Sequence, residues 1–265
     1  MFVERRKFLL LSGAAVTGAG LAACSGPKPS GGASSRPASR ETAAGPASPV
    51  SRPPAHPPAD TTTHLAPQVA HGPRDRSQVA LTFHGQGPVP MADALLTEAE
   101  RTGAHVTVLA VGSWLAQNPQ IAKRILHGGH DLGNHTMHHL DIKAMDAPDA
   151  YAEIAGCARE LKTLTGSAGR WFRPSRTQYS TSLIEREARR AGYPTCVSYD
   201  VDSLDYTDPG PGSVVSTVLS LARPGSIISM HLGHSGTVTA LPAVIAGLVS
   251  RGLRPVTLTK LLSPE

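Results

Sequence analysis

The stretch LTFHGQGPVP, residues 81–90, begins as an apolar run and then changes abruptly to histidine, glycine and proline. Together with Val79 and Ala80 it has the composition of a buried β-strand that ends in a turn. His84 therefore stands at the C-terminal mouth of a predicted strand, which is where α/β folds gather the side chains of their sites. What this imidazole holds depends on the rest of the chain.

The alternation of strand and helix patterns continues from residue 76 to the C-terminus. The predicted strands are residues 79–83, 105–111, 171–173, 195–199, 226–231 and 255–258, and the predicted helices are residues 91–102, 118–128, 148–165, 181–191, 213–222 and 237–250. Such alternation predicts an α/β fold with a parallel sheet, open or closed into a (β/α) barrel. The predicted strand ends also carry Arg173, the segment 200–205 and His231.

Residues 1–24 have the pattern of an export signal: a charged start, a short apolar run and small residues before a cysteine. Leu21-Ala22-Ala23-Cys24 resembles a bacterial lipobox, which implies lipidation of Cys24. Arg5-Arg6-Lys7-Phe8-Leu9 resembles a twin-arginine signal, and the choice between that route and general export stays open. The sequence thus predicts an exported protein anchored by lipid to the outer face of the cytoplasmic membrane.

Residues 25–75 consist mainly of proline, serine, alanine, glycine and threonine. Such a segment buries too little apolar surface to offset the entropy of ordering, so we predict a disordered linker. Its prolines favour a semi-extended spacer between a membrane and the domain formed by residues 76–265. One folded domain, acting as a monomer, is the expected organisation.

The 265-residue chain has a formal net charge of +5. Its basic residues are concentrated in the leader and linker and are otherwise scattered, so no nucleic-acid partner is expected. Cys157 and Cys196 would share an oxidising compartment, and spacing alone leaves open whether they form a disulfide or remain buried thiols.

Aromatic residues make up only 4% of the chain. Trp114 and Phe172 are predicted core residues rather than platforms for stacking sugars. Trp171, beside Arg173, could be either a core residue or a platform for stacking sugars.

Three histidines occur within five residues in the segment GNHTMHH, residues 133–139. His135 and His139 are four residues apart, so one helical turn would place both on the same face with their nitrogens converging on a metal ion. Zinc is the expected ion, with cobalt and nickel as alternatives. A histidine-rich polar surface loop without metal is the other interpretation of this segment.

Five short motifs follow one another along the chain. They are Thr82-Phe83, His135-Thr136-Met137-His138-His139, Phe172-Arg173-Pro174, Asp202-Ser203-Leu204-Asp205-Tyr206 and Gly225-Ser226-Ile227-Ile228-Ser229-Met230-His231. In this order they resemble the polysaccharide deacetylase (NodB homology) family, carbohydrate esterase family four, from about Gln78 to the C-terminus. The resemblance implies a distorted (β/α) barrel and removal of acetyl groups from peptidoglycan or chitin-like polymers by metal-activated water.

The resemblance also implies roles for individual residues. His135 and His139 match two metal ligands, His231 matches the general acid, and Asp205 matches the carboxylate that orients this acid. Arg173 is implied to organise the charges around the cleft.

The first motif departs from the family, which has two aspartates there, one a general base and one a metal ligand. This chain has His84 and Gly85 at those places, or His84 and Gln86 if one glycine is an insertion. His84 could complete a three-histidine metal site with His135 and His139, which is our preferred hypothesis, or could itself be the base. Asp200 or Asp202 could act as a surrogate base.

The function predicted from these motifs is a metal-dependent hydrolase of N-acetylated cell-envelope polysaccharide, with acetylated glycan as its partner and the membrane contacted only through the lipid anchor. The alternative is a catalytically impaired lipoprotein that binds envelope glycan or serves as a structural module. Metal content separates the two, because a working site of this type needs a bound ion.

Overall fold

The computed structural model describes residues 65–264, which form a parallel sheet surrounded by helices. The strands are β1 (Gln68–Val69), β2 (Gln78–Gly85), β3 (Thr107–Ala110), β4 (Asp131–Asn134), β5 (Cys196–Val197), β6 (Val201–Asp202), β7 (Ile227–His231) and β8 (Arg254–Pro255). The helices are α1 (Val89–Arg101), α2 (Gly112–Gln117), α3 (Pro119–His127), α4 (Ala147–Thr165), α5 (Ser182–Arg190), α6 (Pro211–Leu221), α7 (Ser235–Ser250) and α8 (Leu258–Leu262). Short 3₁₀ helices span Ile142–Ala144 and Asp205–Thr207.

The strands wind into an incomplete barrel. Their order is β4-β3-β2-β7-β6, with β8 also paired to β2, and every ladder is parallel. Single parallel bridges from Asn134 to Phe172 and from Phe172 to Cys196 continue the curve to β5, which pairs with β1. This is the distorted (β/α) barrel that the family resemblance implies, and all C-terminal strand ends open on the same side.

The central strand β2 is buried over five consecutive residues, Val79 to Phe83, which is typical of a parallel strand covered on both faces. Helices α1 and α7 pack against this part of the sheet with fully buried leucines, among them Leu95 and Leu241. The opposite face of β2 packs against a second cluster, in which Ala80 lies with Ile227 and Leu261. Because both faces of β2 are covered, the position of its last residues is fixed by the core. His84 is one of those last residues.

Residues 65–75 differ from the predicted linker, because they belong to the folded domain. Leu65 and Val69 pack on an apolar cluster that includes Trp171. The side chain of Arg74 donates to Asp200 Oδ2 at 2.7 Å, which ties the segment to the barrel. The domain boundary predicted at residue 76 therefore lies too late in the chain.

The remaining N-terminal predictions, namely the signal at residues 1–24, lipidation of Cys24 and most of the linker, fall outside the described residues. Within residues 65–264, none of the helices combines the length and apolarity that crossing a bilayer requires.

Cys157 and Cys196 are both free and buried, which answers the question of a disulfide that their spacing left open. Burial raises the pKa of the Cys157 thiol to about 12 and that of Cys196 to about 11. Since the thiolate is the reactive form, both are poor nucleophiles in the folded protein.

We expect neither of these two thiols to be labelled by iodoacetamide at pH 8 in the native protein, and both to be labelled in denaturant. Mass spectrometry of peptides containing Cys157 and Cys196 measures this. Rapid native labelling of either peptide would contradict the burial described above.

Candidate functional site

His84 and His231 lie side by side at the ends of neighbouring strands. They are paired in the register of β2 and β7, and their ring centroids are 4.5 Å apart. Both line a cavity of about 620 Å³ at the mouth of the barrel, and a second cavity of about 360 Å³ adjoins it. The two imidazoles therefore share one cleft at the C-terminal ends of the strands, as the sequence predicts.

The segment 135–139 reaches the same cleft without forming the predicted helical turn. Thr136 (φ 68°) and His139 (φ 57°) have left-handed backbone conformations, which a right-handed turn excludes. Asn134 holds the loop: its side chain accepts from the Thr136 N–H at 2.8 Å and donates to the carbonyl of Ile154. The loop brings the rings of His135 and His139 to a centroid distance of 5.0 Å.

His135 is presented in the manner of a metal ligand. Its Nδ1 donates to the backbone oxygen of Arg173 at 2.9 Å, and its Nε2 is buried with no hydrogen-bond partner. Burial is the main cause that lowers the pKa of His135 well below its ordinary value, so the ring is neutral at pH 7. Metal-binding histidines are commonly fixed by a hydrogen bond of this kind on the other ring nitrogen.

Asp205 holds His231 from below the cleft. Asp205 Oδ1 accepts from His231 Nδ1 at 2.7 Å, and Asp205 Oδ2 accepts from the backbone N–H of His231 at 2.8 Å and from Thr237 Oγ1 at 2.5 Å. Burial favours the protonated acid, but the hydrogen bonds from His231 and Thr237 outweigh it and lower the pKa of Asp205. The orientation of His231 is therefore fixed by an ionised carboxylate.

This pKa shift predicts how stability depends on pH. Because the folded pKa of Asp205 lies below its ordinary 3.8, its stabilising contribution is present above 3.8 and is lost as pH falls through the folded pKa. We expect the difference in unfolding free energy between the parent chain and Asp205→Asn to shrink as the pH is lowered below 3.8. Urea unfolding at several pH values measures it, and a constant difference would contradict the shift.

Arg173 lies at the centre of the barrel and is fully buried. Its guanidinium donates to the carbonyls of Val197 and Ser198 and to Thr82 Oγ1, at 2.9 to 3.1 Å. It also faces the Tyr199 ring at 5.3 Å. Burial lowers the pKa of Arg173 to about 9, so the group stays charged at pH 7.

His84 is the residue whose geometry differs most from the expectation. Its Nε2 lies 3.0 Å from Arg173 Nη1 and 3.3 Å from Ser229 Oγ. Within residues 65–264, no three histidine, cysteine, aspartate or glutamate side chains converge as a metal site. The predicted three-histidine arrangement of His84, His135 and His139 is therefore not formed, because the distal nitrogen of His84 is directed to Arg173.

Position 85 offers no room for the missing carboxylate. A Cβ at Gly85 would lie 2.8 Å from the Ala110 Cα and 3.0 Å from Val108 Cγ1 on the neighbouring strand β3. A side chain there would require β3 to shift. The glycine is thus explained by close packing of the strands.

The two proposed surrogate bases are placed differently. Asp200 is used structurally, accepting from Arg74 and from the N–H of Ile227. Asp202 lines the smaller cavity with His84 and His231. Asp202 is thus the candidate base that opens on the cleft.

Two aromatic residues of the site were given no role there from the sequence. Trp114, predicted as core, is mostly buried but lines the cavity and donates from Nε1 to the Gly87 carbonyl. Tyr206 is 47% exposed and meets the His231 ring edge to face. Trp171 donates to Thr259 within the core and takes no part in the cleft. Indole burial depends on long-range packing, which local sequence does not report.

Comparisons with known proteins give the family. Residues 71–196 match the family described as polysaccharide deacetylase. The chain is 31% identical over 201 residues to a peptidoglycan-N-acetylglucosamine deacetylase of Bacillus cereus, covering 72% of this chain and 90% of that protein. It is 31% identical over 189 residues to a chitooligosaccharide deacetylase of Sinorhizobium fredii, covering 66% of this chain and 86% of that one.

Among solved structures, the fold is similar to that of a CE4 family pseudoenzyme from Bacillus anthracis, with a TM-score of 0.71 and 24% identity, covering 75% of this chain and 70% of the other. At that identity the likeness concerns the fold alone. The two relatives at 31% identity are matched over most of their length and therefore support assignment to a family. Together with the barrel and the ordered motifs at its mouth, they establish that the chain belongs to the polysaccharide deacetylase family.

Proposed function

We propose that this protein is a metal-dependent deacetylase that removes acetyl groups from N-acetylated cell-envelope polysaccharide. The observation that carries the proposal is the pair formed by His231 and Asp205, held at 2.7 Å at the edge of a cavity that also contains His135. An imidazole oriented by a buried carboxylate is suited to protonating a leaving amine. The names of the relatives support an acetylated glycan as the substrate class.

Two of the predicted ligands, His135 and His139, fit a single divalent cation. The buried, unpartnered Nε2 of His135 lies beside the ring of His139, and neutral imidazoles suit zinc, cobalt or nickel. When bound, such an ion supplies a Lewis acid for the acetyl group and for water. His84 is not needed to hold it in this proposal.

The chain's own residues provide the other steps. Asp205 keeps the Nδ1 proton of His231 engaged, so that the Nε2 of His231 is the atom that exchanges a proton with the substrate nitrogen. Arg173 anchors both His135, through its backbone oxygen, and His84, through its guanidinium. The exposed ring of Tyr206 offers a surface on which a sugar can stack.

The second candidate function is glycan binding without turnover. It is favoured by one observation: His84 and Gly85 replace both carboxylates of the family's first motif, and Asp202 is the sole carboxylate that lines either cavity in the described part of the chain. Loss of a base costs about 10²- to 10⁴-fold in rate. A groove of this kind could still bind sugar.

Acetate release separates the two functions. The untagged chain, supplied with zinc, is incubated with N-acetylglucosamine oligomers and with peptidoglycan, beside His231→Gln and the exposed control His127→Gln. We expect acetate from the parent and from His127→Gln, and at least a hundredfold less from His231→Gln. Glycan binding without acetate release from either substrate would replace the deacetylase proposal with the binding function.

We further propose that the protein is an exported monomer, anchored through a lipid on Cys24. The proposal rests on the sequence pattern Leu21-Ala22-Ala23-Cys24. Replacing Cys24 by alanine should release the protein from the membrane fraction, with Ser25→Ala as the matched control. Equal membrane association of the two variants would contradict it.

A further inference from the structure

The hydrogen bonds around His84 determine which of its ring nitrogens carries the proton. Arg173 Nη1 lies 3.0 Å from His84 Nε2, and a charged guanidinium has only protons to offer. The contact is therefore a hydrogen bond only if Nε2 presents its lone pair. Ser229 Oγ, at 3.3 Å, can donate to the same nitrogen.

A ring whose Nε2 is an acceptor has its proton on Nδ1. No hydrogen-bond partner for His84 Nδ1 exists within residues 65–264, and the residue lines both cavities. The titratable groups that face this ring are His135, His139, His231, Arg173 and Tyr199. The carboxylate of Asp202 lines the smaller cavity with His84, but within residues 65–264 it forms no hydrogen bond with this ring and accepts instead from the N–H of Leu204.

We propose that His84 is neither a metal ligand nor a base but a hydrogen-bond donor, whose Nδ1–H binds the acyl oxygen of the ligand. The identity of that ligand rests on the proposed deacetylase function, whereas the position of the proton does not. Where the family's motif has a carboxylate, which accepts hydrogen bonds, this chain thus has a residue that donates one.

Arg173 strengthens this donor from behind. Its guanidinium is fully buried and, within the described part of the chain, forms no ion pair with a carboxylate. Its positive charge therefore falls on the lone-pair side of His84 and polarises the ring toward the cleft. A preorganised donor directed at an oxygen that gains negative charge is worth about 10²- to 10³-fold in rate.

Nuclear magnetic resonance tests the position of the proton directly. The chain is labelled with ¹⁵N histidine, and long-range ¹H–¹⁵N correlations assign the tautomer of each ring. The His84 signals are those missing from His84→Gln, and His127→Gln controls for loss of an exposed histidine. We expect a protonated Nδ1 and an unprotonated Nε2 at pH 7, both unchanged on addition of zinc.

A proton on Nε2, protons on both nitrogens, or a zinc-induced shift of the His84 nitrogens would overturn the inference. If the tautomer is as expected and no acetate is released from any glycan, the deacetylase proposal fails while the donor remains.

A second measurement uses acetate as the probe. His84→Gln keeps an N–H donor of similar reach, whereas His84→Phe keeps only the ring shape. We expect the parent and His84→Gln to bind acetate within about threefold of each other, and His84→Phe to bind it at least tenfold more weakly, a factor that corresponds to about 1.4 kcal/mol. Equal binding by all three, with the fold verified by circular dichroism, would contradict a donor role.

Discussion

Asp205→Asn is expected to lower the rate of acetate release by about 10³-fold, with little change in the fold. Oδ2 of Asp205 accepts from both the His231 N–H and Thr237 Oγ1, so the amide oxygen of asparagine will take that position. The amide NH₂ then faces His231 Nδ1 and forces the proton of this ring onto Nε2. The imidazole is held in the wrong tautomer for cycling a proton with the substrate.

Turnover of an N-acetylglucosamine oligomer measures this effect, and circular dichroism verifies the fold. The matched control is Asp208→Asn, because Asp208 forms a similar contact with His234 at 2.9 Å but is exposed. The control should retain parental turnover. Equal rates for Asp205→Asn and the parent would show that the hydrogen bond between Asp205 and His231 does not contribute to turnover.

Arg173→Met is expected to destabilise the domain by about 3 kcal/mol, since it leaves several buried acceptors unpaired. The carbonyls of Val197 and Ser198 and the ring of His84 would all lose their donor. These groups belong to different parts of the barrel, so nearby backbone cannot replace the guanidinium at all of them.

The midpoint of urea unfolding measures the loss for Arg173→Met. Arg176→Met is the control, because Arg176 is exposed at the rim of the smaller cavity, and exposed substitutions change stability by about 0.5 kcal/mol or less. Similar midpoints for the two variants would show that the buried network contributes little.

The parallel α/β sheet and the location of the site could be predicted from local patterns, whereas its closure into a distorted barrel was implied by the resemblance of the five motifs to the family. Apolar runs set the strands, and parallel strands bring their C-terminal ends to one edge of the sheet, where His84 and His231 are found paired. The observed helices Val89–Arg101 and Ala147–Thr165 agree with their predicted spans to within two residues. Their 3.6-residue periodicity depends only on neighbours in the chain.

Other features depend on distant contacts and could not be predicted. The spacing of His135 and His139 suggested a helical turn, but Asn134 fixes a loop through Ile154, twenty residues further on. Leu65 and Val69 look like linker residues until β1 pairs with β5, more than a hundred residues away. Which nitrogen of His84 accepts a hydrogen bond follows from the position of Arg173, and that position is known only from the folded barrel.

Zinc binding to the untagged chain shows whether His135, and not His84, holds a metal ion. Isothermal titration calorimetry of the parent is compared with His135→Ala, His84→Gln and the exposed control His127→Gln. We expect about one zinc per chain in the parent, in His84→Gln and in the control, with binding lost in His135→Ala. No binding by the parent, or equal loss in His84→Gln and His135→Ala, would contradict it.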